Sequence, residues 1–344
     1  MTRRLLFSCI KNEGPFILEW LAYHRAIGFT DFLIFSNECT DGSDALLDAC
    51  AAAGLLTHLP NPMDGGRGPQ WAALNSKPLR QALRDVDWAA HLDVDEFLAV
   101  KTGAGHLTDL TEAIAGADAI SIPWRFFGND GVAVFEDRPI TAQFTRAARY
   151  PMMFPRQALM YKTLFRPSDK FQKPGIHAPK PKMPVDWRTG NGDPVSGRFD
   201  PKRSVIFGPD AGCDLAQINH YALKSKESFL VKSARGLPNR SDVAIDLTYW
   251  VMRNFNDIED HSARRMAPAA ATLQAEWMAQ PEIAALHHQT CALHRAAARE
   301  LMQTEHGATL YAGISVAGSS RAPDQAETAR IYAALGAVFG DGNT

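Results

Sequence analysis

The sequence predicts an α/β fold in which a mostly parallel sheet is flanked by helices. Three observations carry this. Apolar strand-like runs alternate with helical periods through residues 4–59, the loops between them are short, and a later apolar run at residues 88–100 turns abruptly acidic. Strand, helix, strand, helix, strand is the pattern of right-handed parallel crossovers.

Residues 4–10, Arg-Leu-Leu-Phe-Ser-Cys-Ile, read as a short buried strand. Residues 14–27 place Phe16, Ile17, Trp20, Leu21, Tyr23 and Ile27 at a helical period, with Pro15 in the first turn and Gly28 as the stop. A second strand covers 31–35, a polar loop 36–43, a helix about 44–53 and a third strand 55–59. Residues 60–70 form a Pro/Gly-rich loop, in which Gly65-Gly-Arg-Gly68 reads as a turn rather than a phosphate cradle. One helix is expected over about 71–83, one strand over 88–100, a helix over 106–117 and a strand over 119–124. The Pro- and Gly-rich stretch 167–212 predicts long loops with short strands, and loops this long are usually functional. From about Ser225 the chain turns helical and rich in alanine, and a boundary near 236 divides it into 1–236 and a helical extension, 237–344. The last two dozen residues, with Gly318-Ser-Ser320 and 340–344, are expected to fray at the end.

Composition narrows the function. Of 344 residues, 46% are apolar and 22% charged, enough for a real core. Lys and Arg total 36 against 38 for Asp and Glu, a net charge of −2, which argues against a dedicated nucleic-acid binder. Cys9, Cys39, Cys50, Cys213 and Cys291 lack zinc-knuckle or redox spacing and read as thiols in a reducing compartment. The apolar run near the start stops at Lys11-Asn-Glu13, too short for a signal peptide, and no stretch has the length of a membrane span. A cytoplasmic location is expected.

The sharpest local feature is His91-Leu-Asp-Val-Asp-Glu-Phe-Leu98. On a strand, Asp93 and Asp95 project to one side. Two neighbouring carboxylates at the end of a buried strand need a positive partner, and Mg²⁺ or Mn²⁺ shared with substrate phosphates is an economical one. The competing reading is a solvated acidic loop. A second constellation is Asn219-His-Tyr-Ala-Leu-Lys224 with Lys226, Lys232 and Arg235: His220 is a candidate third metal ligand and the cations suit a diphosphate, unless they are a solvated helix face. His177 is a rival to His220 as ligand, or an acceptor contact. His287, His288 and His294 show no acidic or cysteine partner at ligand spacing and are expected on the surface. Trp124, Phe126 and Phe127 are either a sugar platform or core.

Several of these segments together resemble a known family. Lys11-Asn-Glu13, Glu19-Trp-Leu-Ala-Tyr-His24, Ser36-Asn-Glu-Cys-Thr-Asp-Gly-Ser43 and His91-Leu-Asp-Val-Asp-Glu-Phe97 are followed in order by Trp124-Arg-Phe-Phe-Gly-Asn-Asp-Gly131, Lys162-Thr-Leu-Phe-Arg-Pro167, His177-Ala-Pro179 and His220-Tyr-Ala-Leu-Lys-Ser225. The series, from residue 4 to about 236, resembles glycosyltransferase family 2, in the bacterial branch that shares features with the family 92 transferases. The resemblance implies a GT-A fold, a nucleotide-diphosphate sugar donor (UDP-sugar first), a divalent cation and inverting transfer to a glycan, lipid-linked or other hydroxyl acceptor. It implies that Asn12 and Glu13 with Asn37 and Asp41 hold the nucleoside, that Asp93 approaches ribose or metal, and that Asp95 binds the metal. It further implies that His220 and Lys224 close over metal and diphosphate. Asp130 is the candidate general base, with Glu136 in reserve. The 180–212 loop has no family counterpart. Without a membrane span, a lipid-linked acceptor would be met at the membrane surface. A non-catalytic nucleotide-sugar or glycan binder and a nucleotidyltransferase are the alternatives, although Lys11-Asn-Glu-Gly-Pro15 lacks the glycine-rich loop expected of the latter.

Overall fold

The structure, a computed structural model, describes residues 2–61, 68–236 and 244–339. The expected positions 65–67 of the glycine turn and 340–344 of the terminus lie outside these residues.

The first half runs β1 (Arg4–Ile10), α1 (Ile17–Ile27), β2 (Asp31–Ser36), α2 (Ser43–Ala52), β3 (Thr57–Pro60), α3 (Pro69–Leu74), α4 (Lys77–Ala82), β4 (Trp88–His91), β5 (Glu96–Val100), α5 (Leu107–Ala113), β6 (Ala119–Phe126), α6 (Ile140–Gln143) and β7 (Arg146–Ala147). It continues with β8 (Tyr161–Phe165), three short strands β9 (Phe171–Lys173), β10 (Lys180–Pro181) and β11 (Trp187–Arg188), then β12 (Ala216–His220), α7 (Lys226–Arg235) and α8 (Leu247–Val251). The chain ends with β13 (Ile258–Glu259), α9 (Ala267–Met278), α10 (Pro281–Met302), α11 (Glu305–Ala317) and α12 (Gln325–Phe339). Among the described residues no helix is long and apolar enough to cross a membrane.

The α/β class is borne out: nine strands form one sheet in the order β3-β2-β1-β4-β8-β6-β12-β5, with β11 beside β6. Pairs β1–β2, β2–β3, β1–β4, β6–β12 and β6–β11 are parallel, whereas β8 and β5 run against their neighbours. The carboxyl ends of β1, β4, β6 and β12 and the amino ends of β8 and β5 therefore open at one edge, where open α/β sheets gather ligands.

Alternation along β1 explains the layers. Leu6 and Ile10 join the core under α1, α9 and α10, while Leu5, Phe7 and Cys9 join a second core with Leu74, Leu79 and Trp187. Helix α1 buries most of its surface, and Gly28 closes it at φ 112°, a left-handed conformation that favours glycine. The Trp20 indole donates to the Glu96 carbonyl at 3.0 Å, tying α1 to β5.

Two expected elements divide. The helix over 71–83 breaks at Asn75–Ser76 because the Ser76 hydroxyl caps a new helix and Pro78 has no N–H for the preceding one. The strand over 88–100 is two: Leu92–Asp95 forms a turn, and β4 and β5 take distant places in the sheet. The expectation of surface histidines on 281–302 holds for exposed His288 and is overturned for His287 and His294, which are buried. The partners missed were Asp137, 3.0 Å from His287 Nε2, Cys291 one helical turn on, and the Ser228 hydroxyl, 3.1 Å from His294 Nε2.

Candidate active site

The site is built on the turn between β4 and β5. Because Asp93 and Asp95 lie on a turn rather than a strand, their carboxylates take different partners. Asp93 Oδ2 lies 2.9 Å from Lys162 Nζ, and its Oδ1 accepts from the Gln70 amide at 3.1 Å. Asp95 Oδ2 accepts from Lys232 Nζ at 2.8 Å, and its Oδ1 stands 3.7 Å from His220 Nε2. The positive charge that buried Asp95 and half-buried Asp93 require is thus supplied in part by two ammonium groups of the chain itself. Lys162, buried in β8, also reaches Glu96 Oε2 at 3.1 Å, and that oxygen accepts the Asp93 N–H at 2.8 Å.

These contacts set the charge states. Burial works against ionised Asp95, but the Lys232 ammonium above all outweighs it and holds the carboxyl well below its usual range. Asp93 is lowered in the same way by Lys162. Burial dominates at Glu96 and pushes it well above the carboxylate range, despite Lys162. For Lys162 and Lys232 the desolvation cost is overcome by the facing carboxylates, so both ammoniums are held above the lysine range. Burial lowers His220 and so favours the neutral imidazole that a metal ligand must be.

The turn after β1 is locked from α7, more than 200 residues on. Arg235, at the end of α7, donates to the carbonyls of Lys11 at 2.6 Å and Asn12 at 2.8 Å and pairs with Glu13 Oε1. Lys224 Nζ stands 3.7 Å from Glu13 Oε2. Asn12 and Lys224 both carry positive φ, 53° and 59°, a strained conformation that surrounding contacts must hold. Asn12 exchanges two hydrogen bonds with Thr40, at 2.8 and 3.1 Å. Asp41 accepts the Gly14 and Ser43 N–H groups, and Asn37 Oδ1 accepts from Cys9 and Asn61. Asn37 and Asp41 buttress the turn from behind.

A cavity of ≈ 450 Å³ opens over this edge, a size suited to a small-molecule ligand. Glu13, Asp93, Asp95, His220, Lys232 and Arg235, all singled out in the sequence, line it. His177 and Trp124 line it too, the His177 Nδ1 lying 2.9 Å from the Tyr161 carbonyl. Asn12 and Lys224 lie in a small adjoining hollow, and Asn37 and Asp41 are outside the cavity lining.

Asp130 does not join the cluster. It lines a separate hollow with Arg146, Lys226 and Asn254, and its Oδ2 accepts from the Thr145 N–H and hydroxyl at 3.1 and 3.2 Å. Its role is to hold a turn. Glu136 is exposed and paired with Arg138 at 3.1 Å. Phe126 and Phe127 are core residues.

Sequence reasoning missed Lys162, Trp71, Tyr249 and Arg253. Lys162 had a readable signal: a lone charge in the otherwise apolar run Tyr161–Phe165 needs a buried counter-ion. Arg253, stacked over the Tyr249 ring at 3.6 Å, enters from beyond α7, and no short-range pattern marks it.

The family model for glycosyltransferase family 92 matches residues 6–185. A glycosyltransferase family 92 protein of Ricinus communis is 28% identical over 99 residues, 28% of this chain; the match spans 17% of the relative's length. Among solved structures, Staphylococcus aureus TarS 1–349 matches with TM-score 0.30 and 15% identity over 48% of this chain and 47% of that one. HddC from Yersinia pseudotuberculosis matches at 0.25 and 8%, over 40% and 64% of the two chains. A putative glucose-1-phosphate thymidylyltransferase from Bacillus anthracis, in complex with a sucrose, matches at 0.28 and 11%, over 48% and 72%. Of the two families in the resemblance it is the second, not family 2, that the match supports: the chain belongs to glycosyltransferase family 92.

Proposed function

We propose that this chain transfers a sugar from a nucleotide-diphosphate sugar, a UDP-sugar being the first to test, to a hydroxyl of a glycan or another acceptor, with inversion and with the help of a divalent cation. The observation that carries the proposal is the convergence of Asp95, His220, Lys232 and Arg235 on one cavity at the carboxyl edge of the sheet.

The cavity's charge suits a diphosphate. Lys11, Lys162, Lys232, Arg235 and Arg253 line or underlie it against Glu13, Asp93 and Asp95, while buried Glu96 favours its neutral form. Lys232 is spent on Asp95, the Ala222 carbonyl and Tyr249, whereas Arg235, bonded to Glu13 and to the Lys11 and Asn12 carbonyls, keeps a buried Nε–H without a partner among the described residues for a phosphate oxygen. Burial strengthens these contacts, and they act where the leaving nucleoside diphosphate gathers charge.

A carboxylate beside a neutral imidazole fits a hard divalent cation that takes its remaining ligands from diphosphate and water, so Asp95 and His220 would hold Mn²⁺ or Mg²⁺. When bound, the ion would neutralise charge on the departing diphosphate. Asp93, its side chain 31% exposed and its outer contacts held by Lys162 and Gln70, would accept a hydroxyl of the donor. Trp71, 39% exposed at the cavity rim, offers a face for a base or sugar ring. With Asp130 elsewhere, a group lining the cavity takes the acceptor's proton. Residues 1–236 would supply the turn, the acidic pair and the cationic helix, and 237–344 would complete the wall with Tyr249 and Arg253.

The test is donor hydrolysis and transfer by purified protein over a panel of nucleotide sugars with Mn²⁺. Turnover that disappears in Asp95→Ala supports the reading. Tight donor binding with no turnover of any donor, by water or by acceptor, would make the chain a binding protein.

A further inference from the structure

We infer that Asp137, His287 and Cys291 form a second metal site, of the zinc class, that staples α10 to the loop following β6. Among the described residues this is the one group of three or more Asp, Glu, His or Cys side chains whose ligand atoms all lie within 4.8 Å of one another. Asp137 Oδ1 is 3.0 Å from His287 Nε2, and Cys291 Sγ is 3.7 Å from the same nitrogen. Zinc bonds of ~2.0–2.1 Å to nitrogen and oxygen and ~2.3 Å to sulfur place tetrahedral ligand atoms about 3.3–3.6 Å apart. The observed spacings lie within a few tenths of an ångström of that.

Without a cation, the His287 Nε2 hydrogen and the Cys291 thiol both turn to the one Asp137 carboxylate. A cation at the shared point satisfies all three groups. Imidazole and sulfur select a borderline-soft metal over Mg²⁺ or Ca²⁺. His287 and Cys291 are one helical turn apart on the buried face of α10, and Asp137, with its side chain 35% exposed, leaves a fourth position for water. Arg295 and His288 are the neighbouring cationic or titratable groups facing Asp137. Binding forms a metal–sulfur bond and releases the Cys291 thiol proton to solvent.

The staple bears on the donor site because α10 also packs against the turn after β1. A Cβ on Gly14 would lie 2.5 Å from Thr290, and His294 reaches Ser228 in α7, the helix that carries Lys232 and Arg235. The inference does not depend on the donor assignment.

The experiment strips the full-length protein with a chelator and titrates it with Co²⁺, following the near-ultraviolet band of a thiolate–Co²⁺ bond. We expect that band in the native sequence and in Asp95→Ala, its absence in Cys291→Ser, and at least tenfold weaker Co²⁺ binding in Asp137→Asn. Zn²⁺ should raise the melting temperature of the native sequence by several degrees and leave Cys291→Ser unmoved. No thiolate band in the native sequence, or the same band in Cys291→Ser, overturns the site. Should Cys291→Ser fail to fold, undiminished Co²⁺ affinity in Asp137→Asn does so, because that half-exposed change leaves the packing intact.

Discussion

Lys232 donates to Asp95 at 2.8 Å across 137 positions of sequence, and both side chains are nearly buried. Helix α7 and the β4–β5 turn are thereby joined at the centre of the proposed donor site. Breaking a buried pair by removing one partner leaves an uncompensated charge, at a cost of about 3–5 kcal/mol. Lys232→Met should destabilise the fold by that order, and Lys232→Met with Asp95→Ala by less than the two single losses summed. Urea unfolding of the four proteins measures this; strict additivity would show that the pair is not coupled.

Transfer should separate the acidic residues. Asp95→Ala and His220→Ala are expected to lower activity at least a hundredfold. Asp130→Ala should stay within a few-fold of the native rate, since Asp130 holds Thr145 in another hollow. Steady-state rates decide the matter, and a dead Asp130→Ala of native stability would return that residue to the chemistry.

Stability should fall on mild acidification. Burial pushes His24 and His294 down to about 3 and His91 to about 4, from an ordinary 6.5. The unfolded chain then takes up protons that the fold refuses. Their contribution is full above the ordinary value and is lost as pH falls from 6.5 toward 4, by about 1.4 kcal/mol per pH unit for each. Glu19 and Glu96, raised by burial, act oppositely, their contribution declining as pH rises above their unfolded value of 4.5, but His177, also pushed down to about 3, makes it two groups against four. Urea midpoints between pH 7.5 and 4.5 test the sign; a flat profile would place these imidazoles in water.

Gly14→Ala should cost about 1–3 kcal/mol, because its Cβ would meet Thr290 at 2.5 Å on a long helix that cannot easily retreat. Thermal unfolding reads the loss, and a native melting temperature would mean that α10 packs less closely on this turn.

Much of this was legible in the sequence, for physical reasons. The β1-α1-β2-α2-β3 order follows from apolar runs and periods that local burial enforces, as do Gly28 as a helix stop and the short strands of 167–212. Glu13, Asp93, Asp95, His220, Lys232 and Arg235 were readable because charges in apolar surroundings require partners. Long-range pairing was not readable. That Lys162 would answer Asp93, and that Asp93 and Asp95 would sit on a turn feeding two distant strands, depends on sheet order. That Asp130 lies outside the main cavity was not readable, because a Gly-Asn-Asp-Gly turn looks the same whether it faces a cavity or a neighbouring loop. His287 and His294 were misjudged because Asp137 and Ser228 are far away in the chain, although Cys291, one turn from His287 on the same helix, was readable.

The most direct measurement is a thermal-shift panel of UDP, GDP, TDP and CMP, each with and without Mn²⁺. The proposed function predicts that one nucleoside diphosphate raises the melting temperature by several degrees, more so with Mn²⁺, and that Asp95→Ala abolishes the Mn²⁺-dependent part. No shift with any nucleotide, with or without the ion, would contradict it.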